Sequence, residues 1–325
     1  MSVKFIAEIG NNHNGDLTLA KQIADSAITA GADIVKFQVY RPDTFMAKDS
    51  TYFEELSAEA LPFEYFGELK THIESKGCKF LATPFDSYSL ALLDELNCDE
   101  IKISSGDFDN FDLLGDAIVR EKKIIMSVGG GTIEEIDNTI AFLNEKRADF
   151  MLLHCALAYP AAFTDLNLQF ITTLKSRYNV QVGFSDHSLG VEAAIAAVAL
   201  GAEMVEKHFT TDQDLPGGDN SMSILPEGFA QMVDACRNIE LALGCSSRLP
   251  TTTEQKVRKL IKRTYHAAHD ISGGSYLTDS DIILLRSSDS EIGFYACAKE
   301  SLLGKRLKIT VKKGQVIESD FIYKD

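Results

Sequence analysis

Eight short runs rich in Val, Ile and Phe alternate with longer amphipathic stretches between residue 3 and about residue 245. They occupy 3–9, 33–38, 79–83, 100–104, 123–127, 149–154, 180–185 and 203–209. Each run is strand-length, and the stretches between them carry helical spacing. In the first such stretch Asp16 stands at an N-cap position, Leu19, Ile23 and Ala27 recur at i+4, and Gly31 closes the helix. Strict alternation of this kind predicts a parallel sheet covered by helices. Eight units in about 245 residues match a (β/α)8 TIM barrel in number and in size. An internal echo agrees: AITAGADIVKFQ (27–38) and AAVALGAEMVEKHF (196–209) share a helix end, a Gly-Ala-acid step and a strand finishing in polar residues.

The pattern then changes. GCSSRLPTTT (244–253) is polar and turn-rich, a helical stretch follows at 254–262, and from Arg263 the chain becomes β-like with short turns. GSYLTDSDI (274–282) and GQVIESDFI (314–322) repeat with an offset of 40 residues. The predicted organisation is a barrel over 1–245, a linker over 246–262 and a small β-rich module over 263–325. A module of about 60 residues carries little core of its own.

Barrels of this type place their chemistry at the C-terminal ends of the strands. Those ends hold Glu8, Asn11, Asn12 and His13; Lys36 and Gln38; Thr83; Lys102, Ser105 and Asp107; Ser127; His154 and Tyr159; Ser185, Asp186 and His187; and Lys207 and His208. Lysines inside apolar strands are informative, because a buried unpaired ammonium is costly. Lys36 and Lys102 therefore face either an anionic ligand or a structural carboxylate such as Glu8 or Asp107. Ser105-Gly106 and Ser127 with Gly129–Gly131 add hydroxyls and glycine-permitted backbone N–H groups, which suits a phosphate. His187 and His208, at the ends of neighbouring strands, either meet on one divalent metal or bond separately to carbonyls. Two imidazoles among oxygen ligands suit Mn²⁺, with Mg²⁺ or Co²⁺ as alternatives, and leave positions open for a Lewis-acid role. His154 reads as a wall residue, and His13 as structural or catalytic.

The formal charge is −16, from 32 Lys plus Arg against 48 Asp plus Glu, which argues against nucleic acid or an anionic membrane as partner. No apolar run approaches the roughly 18 residues of a membrane span, and no secretory signal is evident. Six scattered cysteines without CxxC spacing read as reduced thiols of a cytoplasmic protein.

Taken in order, AEIGNNHNG, IVKFQ, ATPF, KISSGDFDN, SVGG, LLHCALAYP, GFSDHS and EKHFT resemble the motifs of the sialic acid synthases, PEP-dependent enzymes that make nonulosonic acids. The likeness continues into the tail, which is similar to their SAF (antifreeze-like, β-clip) domain. The resemblance implies that His187 and His208 bind the metal. It implies that Lys36, Lys102, Ser105, Ser127 and Ser185 cradle PEP. Glu8, Gln38, Asp107, Tyr159 and Asp219 then face the reacting carbons and the sugar. Arg286, in LLRSS, would reach into the site of a second copy in a domain-swapped homodimer. The chain departs from the pattern at Leu157, where a polar residue is usual, and at 46–62, which does not match the sugar-contacting loop. SSDSEIG after Arg286 replaces a Pro-Gly turn, and Asp107 stands where Glu is common. The sugar implied is N-acetylmannosamine or a 2,4-diacetamido-trideoxyhexose of the legionaminic or pseudaminic type. Two other classes stay open: a Schiff-base aldolase using Lys36 or Lys102, and a non-catalytic carbohydrate-binding protein.

Overall fold

The computed structural model describes residues 2–286 and 293–323. They form two compact units, Met1–Gly244 and Cys245–Asp325.

In the first unit eight strands run in parallel: β1 (Lys4–Gly10), β2 (Ile34–Val39), β3 (Lys79–Pro84), β4 (Glu100–Ile103), β5 (Lys123–Ser127), β6 (Phe150–Cys155), β7 (Val182–Asp186) and β8 (Met204–His208). The hydrogen-bonded order is β3-β2-β1-β8-β7-β6-β5-β4, so the first strand pairs with the last. β3 and β4, at the two ends of that order, lie against each other. The result is the (β/α)8 near-barrel. Each of the eight sequence runs overlaps one strand.

The helices between them are α1 (Leu17–Thr29), α2 (Pro42–Phe45), α3 (Phe53–Glu59), α4 (Phe66–Glu74), α5 (Ser87–Glu95), α6 (Phe111–Val119), α7 (Ile133–Glu145), α8 (Phe170–Tyr178), α9 (Glu192–Ala199) and α10 (Pro226–Leu243). Asp16 caps α1, accepting from the backbone N–H groups of Thr18 and Leu19, and Gly31 follows the helix end at φ +97°. No helix among the described residues is long and apolar enough to cross a membrane.

Strand side chains alternate between two environments. Outward residues such as Phe5, Val35 and Phe184 pack under the helices. Inward residues build a layered interior. Ile6, Ile34, Leu81, Ile125, Met151, Leu153 and Met204 form an apolar plug. Beyond the plug, toward the C-terminal ends, the inward positions turn polar at Glu8, Lys36, Thr83, Ser127, Ser185 and Glu206, with Cys155 on β6. Gly183 keeps the plug closed: a Cβ there would sit 2.5 Å from the Met204 carbonyl oxygen and 2.6 Å from a Leu153 methyl carbon.

The second unit begins with α11 (Thr252–Ile261), capped by Thr251 and Glu254 acting reciprocally. An antiparallel pair follows, β9 (Thr264–Ala267) with β10 (Ile282–Leu285), and a short helix, α12 (Lys299–Leu302). The internal repeat is structural. Leu277 and Ile282 in the first copy, and Ile317 and Ile322 in the second, belong to one small core. Each copy opens on a positive-φ glycine, Gly274 or Gly314, and each contains a single 3₁₀ turn.

Candidate active site

The C-terminal ends of the barrel strands surround a cavity of about 490 Å³. Its floor is a buried charge cluster. Lys36 Nζ lies 2.7 Å from Glu8 Oε2 and 3.7 Å from Glu206 Oε2, and it donates to Thr83 Oγ1 at 3.2 Å. Lys102 Nζ donates to Ser127 Oγ at 2.6 Å and to the Ile103 carbonyl at 3.0 Å, and lies 3.8 Å from Glu206 Oε1. Ser185 Oγ donates to the same Glu206 oxygen at 2.9 Å. All four charged residues are at most 5% exposed.

Burial penalises each of these charges, and the partners decide the outcome. Burial would lower Lys36, but Glu206 and Glu8 outweigh it and its pKa is raised. For Lys102 burial wins, and Glu206 offsets it only in part, so its pKa is lowered. Burial would raise Glu206; Lys102 and Lys36 more than offset that and hold it below the usual carboxylate range. Lys102 is thus the floor cation with an incomplete set of negative neighbours.

Above the floor, Ser105 Oγ accepts from the Gly129 N–H at 3.0 Å, and a Cβ on Gly129 would come within 2.9 Å of that oxygen. Glycine is therefore what lets the backbone donor face the hydroxyl. Gln38 Nε2 approaches Glu8 Oε1 at 3.4 Å. The rings of His187 and His208 are 5.5 Å apart, with Tyr159 4.2 Å from His187.

The Nδ1–H of His187 donates to the Ala156 carbonyl at 2.9 Å, which leaves Nε2 with its lone pair. Burial, with His208 beside it, pushes the His187 pKa down to about 3, so the ring is neutral. His208 Nδ1 is buried without a hydrogen-bond partner, the nearest carboxylate oxygen being Asp219 Oδ2 at 3.5 Å. A neutral imidazole oriented through its second nitrogen, next to an unsatisfied ring nitrogen, is a donor set that fits a divalent ion. No group of three or more His, Cys, Asp or Glu side chains among the described residues is placed to hold a metal. Any ion on the two imidazoles would keep open positions.

Glu8, Lys36, Gln38, Thr83, Lys102, Ser105, Ser127, Tyr159, Ser185, His187, His208 and Asp219 thus all line one cavity. One expected residue, Asp107, does not. Asp107 accepts from Ser104 Oγ at 2.9 Å and from Asn110 Nδ2 at 3.1 Å, while Asn110 caps α6 through the Leu113 N–H. Its carboxylate fixes a helix start instead of facing the cavity. Arg286 follows β10 in the second unit and is exposed, and the segment 287–292 after it lies outside the described residues. His154 is the wall residue the sequence suggested: its Nε2 contacts the Leu166 carbonyl at 2.6 Å between Phe170 and Phe184. His13 is fully buried, with Nδ1 accepting from the Gly15 N–H. Lys207 points away from the cavity and pairs with buried Asp186 at 2.7 Å.

Sequence reasoning missed Glu206. The signal was available: if His208 faces inward, so does the residue two before it, and Lys207 between them faces out. Glu55 and Glu59 were also missed as cavity residues.

A model described as the NeuB family matches residues 23–248. The chain belongs to the NeuB family. The SAF domain model matches 262–322, so this NeuB-family chain carries a SAF domain behind its barrel. An uncharacterized protein of Methanocaldococcus jannaschii is 39% identical over 86% of this chain and 84% of its own length. The N,N'-diacetyllegionaminic acid synthase of Legionella pneumophila is 34% identical, covering 98% of this chain and 94% of its own. The crystal structure of an N-acetylneuraminic acid synthetase from Leptospira borgpetersenii aligns with a TM-score of 0.76 at 36% identity. It covers 80% of this chain and 93% of that one.

Proposed function

We propose that the chain condenses phosphoenolpyruvate with the open-chain aldehyde of an N-acetylmannosamine-type amino sugar, releasing phosphate and a nonulosonic acid. The observation that carries this reading is Lys102: a buried ammonium with incomplete negative neighbours, beside Ser105, Ser127, Ser185 and the Gly129 N–H. That is a pocket for a phosphorylated carboxylate. Lys36 and Lys102 clamp the anion electrostatically, and the serine hydroxyls donate to its phosphate oxygens.

PEP C3 forms a bond to the aldehyde carbon, whose oxygen takes up a proton. Positive charge develops at PEP C2, where the Glu8 carboxylate stabilises it while water adds. The tetrahedral intermediate then expels phosphate by C–O cleavage. His187 and His208 would hold the divalent ion, Mn²⁺ foremost, which supplies Lewis-acid polarisation of the aldehyde oxygen when bound. Gln38, Tyr159 and Asp219 orient the sugar. Assembly as a homodimer, with Arg286 of each chain serving the other's site, and a cytoplasmic location belong to the same reading and are supported by the resemblance to synthases.

The test is phosphate release from PEP with Mn²⁺ and a panel of 2-acetamido and 2,4-diacetamido sugars. Release with none of them overturns the proposal. Borohydride trapping of pyruvate on Lys102, whose lowered pKa is also what imine formation needs, would instead point to an aldolase.

A further inference from the structure

The outward faces of the barrel strands are mostly apolar where they meet the helices. On β2, β4 and β5 the last outward residues are Val39, Ile103 and Met126, all part of the core under the helices. β7 and β8, the strands that carry His187 and His208, depart from this. Their last outward residues are Asp186 and Lys207, direct partners in the β7–β8 register, and both are at most 3% exposed.

The pair belongs to a small closed network with Ser188. Lys207 Nζ lies 2.7 Å from Asp186 Oδ2 and donates to the Ser188 carbonyl at 2.6 Å. Asp186 Oδ1 accepts from the Ser188 N–H at 2.9 Å and from Ser188 Oγ at 2.6 Å. His187 is thereby bracketed: the residues on either side of it are tied to each other and to the residue that precedes His208. Its own carbonyl accepts from the Ala161 N–H at 2.9 Å, and the His208 carbonyl accepts from the Ile224 N–H at 2.8 Å. Asp186, Ser188 and Lys207 are not among the residues that line the active-site cavity.

A buried ion pair gives little net stability over apolar side chains of similar volume. Apolar packing, however, would not supply directed bonds that fix the main chain on both sides of one imidazole against the strand of the other. Groups behind metal ligands orient them and set the affinity for the ion. We infer that Lys207, acting through Asp186 and Ser188, is a positioning residue that sets the approach of the His187 and His208 imidazoles and with it the affinity for a divalent ion. The inference rests on the metal assignment made above.

The test is Mn²⁺ titration of the full chain without PEP or sugar, read by electron paramagnetic resonance, with PEP affinity read separately by calorimetry in metal-free buffer. Asp186→Asn combined with Lys207→Met leaves no member of the pair charged and unpaired. Asn keeps an acceptor for Ser188, and Met would lie among Met222, Ile224 and Leu225, which line the space beside Lys207. The double variant is expected to melt within about 5 °C of the parent and to bind PEP within about twofold. Its Mn²⁺ affinity is expected to fall about 10–100-fold. Ser188→Ala, which removes one bond to Asp186, is expected to weaken Mn²⁺ binding about threefold and decides the question if the double variant does not fold. Unchanged Mn²⁺ affinity in either folded variant overturns the inference and leaves the metal assignment standing. So does a PEP affinity that falls in parallel with that for Mn²⁺, the mark of a general loosening. A parent chain that binds no Mn²⁺ overturns both.

Discussion

Replacing Glu206 with Gln isolates what the missed floor carboxylate does, because the amide keeps the shape and can still accept from Ser185. Glu206 lies 3.7 Å from Lys36 and 3.8 Å from Lys102. At an effective dielectric constant of about 20, each contact carries roughly 4 kcal/mol of raw attraction. Desolvation of the carboxylate offsets much of that, so removing one partner from a buried cluster costs about 3–5 kcal/mol. The loss is uneven. Lys36 keeps Glu8 at 2.7 Å, whereas Lys102 keeps only the Ser127 hydroxyl and the Ile103 carbonyl. Urea titration near neutral pH should therefore show E206Q destabilised by about 3–5 kcal/mol. PEP should recover part of this, because the bound anion supplies the missing negative charge beside Lys102. Its stabilising shift should be larger in E206Q than in the parent chain. A variant as stable as the parent, or one that PEP stabilises less, would refute the charge-balance argument.

Two further outcomes follow from the same geometry. His208→Ala should abolish Mn²⁺ binding, read by electron paramagnetic resonance, and metal-dependent phosphate release, while leaving the thermal melt near its parent value. Its Nδ1 has no hydrogen-bond partner to lose, and a fully active variant would remove the metal assignment. At pH values high enough to deprotonate Lys102 in the free protein, PEP binding should take up a proton. Burial lowers the Lys102 pKa in the free protein, and an adjacent anion raises it, so affinity falls as pH climbs through the free-protein value. Calorimetry in buffers of different ionisation enthalpy, above the pH where PEP itself is fully ionised, reads this uptake; heats independent of buffer would count against it.

The barrel was legible because its signals are periodic and repeated: each strand has its own apolar run, and α1 has both an N-cap and a terminal glycine. The sugar side was not legible, for local reasons. α2 has four residues and α3 seven, and neither Arg41 nor Tyr52 makes a side-chain cap, so Pro42 and a few first-turn acids are the weak start signals left to mark them. Asp107 misled because a carboxylate after a Ser-Gly pair at a strand end has two uses. One is facing a substrate; the other is tying down a helix start, and Asn110 takes it for the latter.

The lysines show most clearly how far a residue type can carry an argument. Two ammonium groups inside apolar strands do require negative charge nearby, but the fold supplies two carboxylates, Glu8 and Glu206, before any ligand arrives. Lys36 is therefore ion-paired and lines the cavity at once. A balanced floor cannot attract an anion by net charge, and the chain's overall −16 works against it. Selection must come from directed donors and from the asymmetry between the two lysines. Glu8 is in close contact with Lys36 and acts on Lys102 only from further away, Glu206 is shared, and Lys102 is left as the position where an incoming anion gains most.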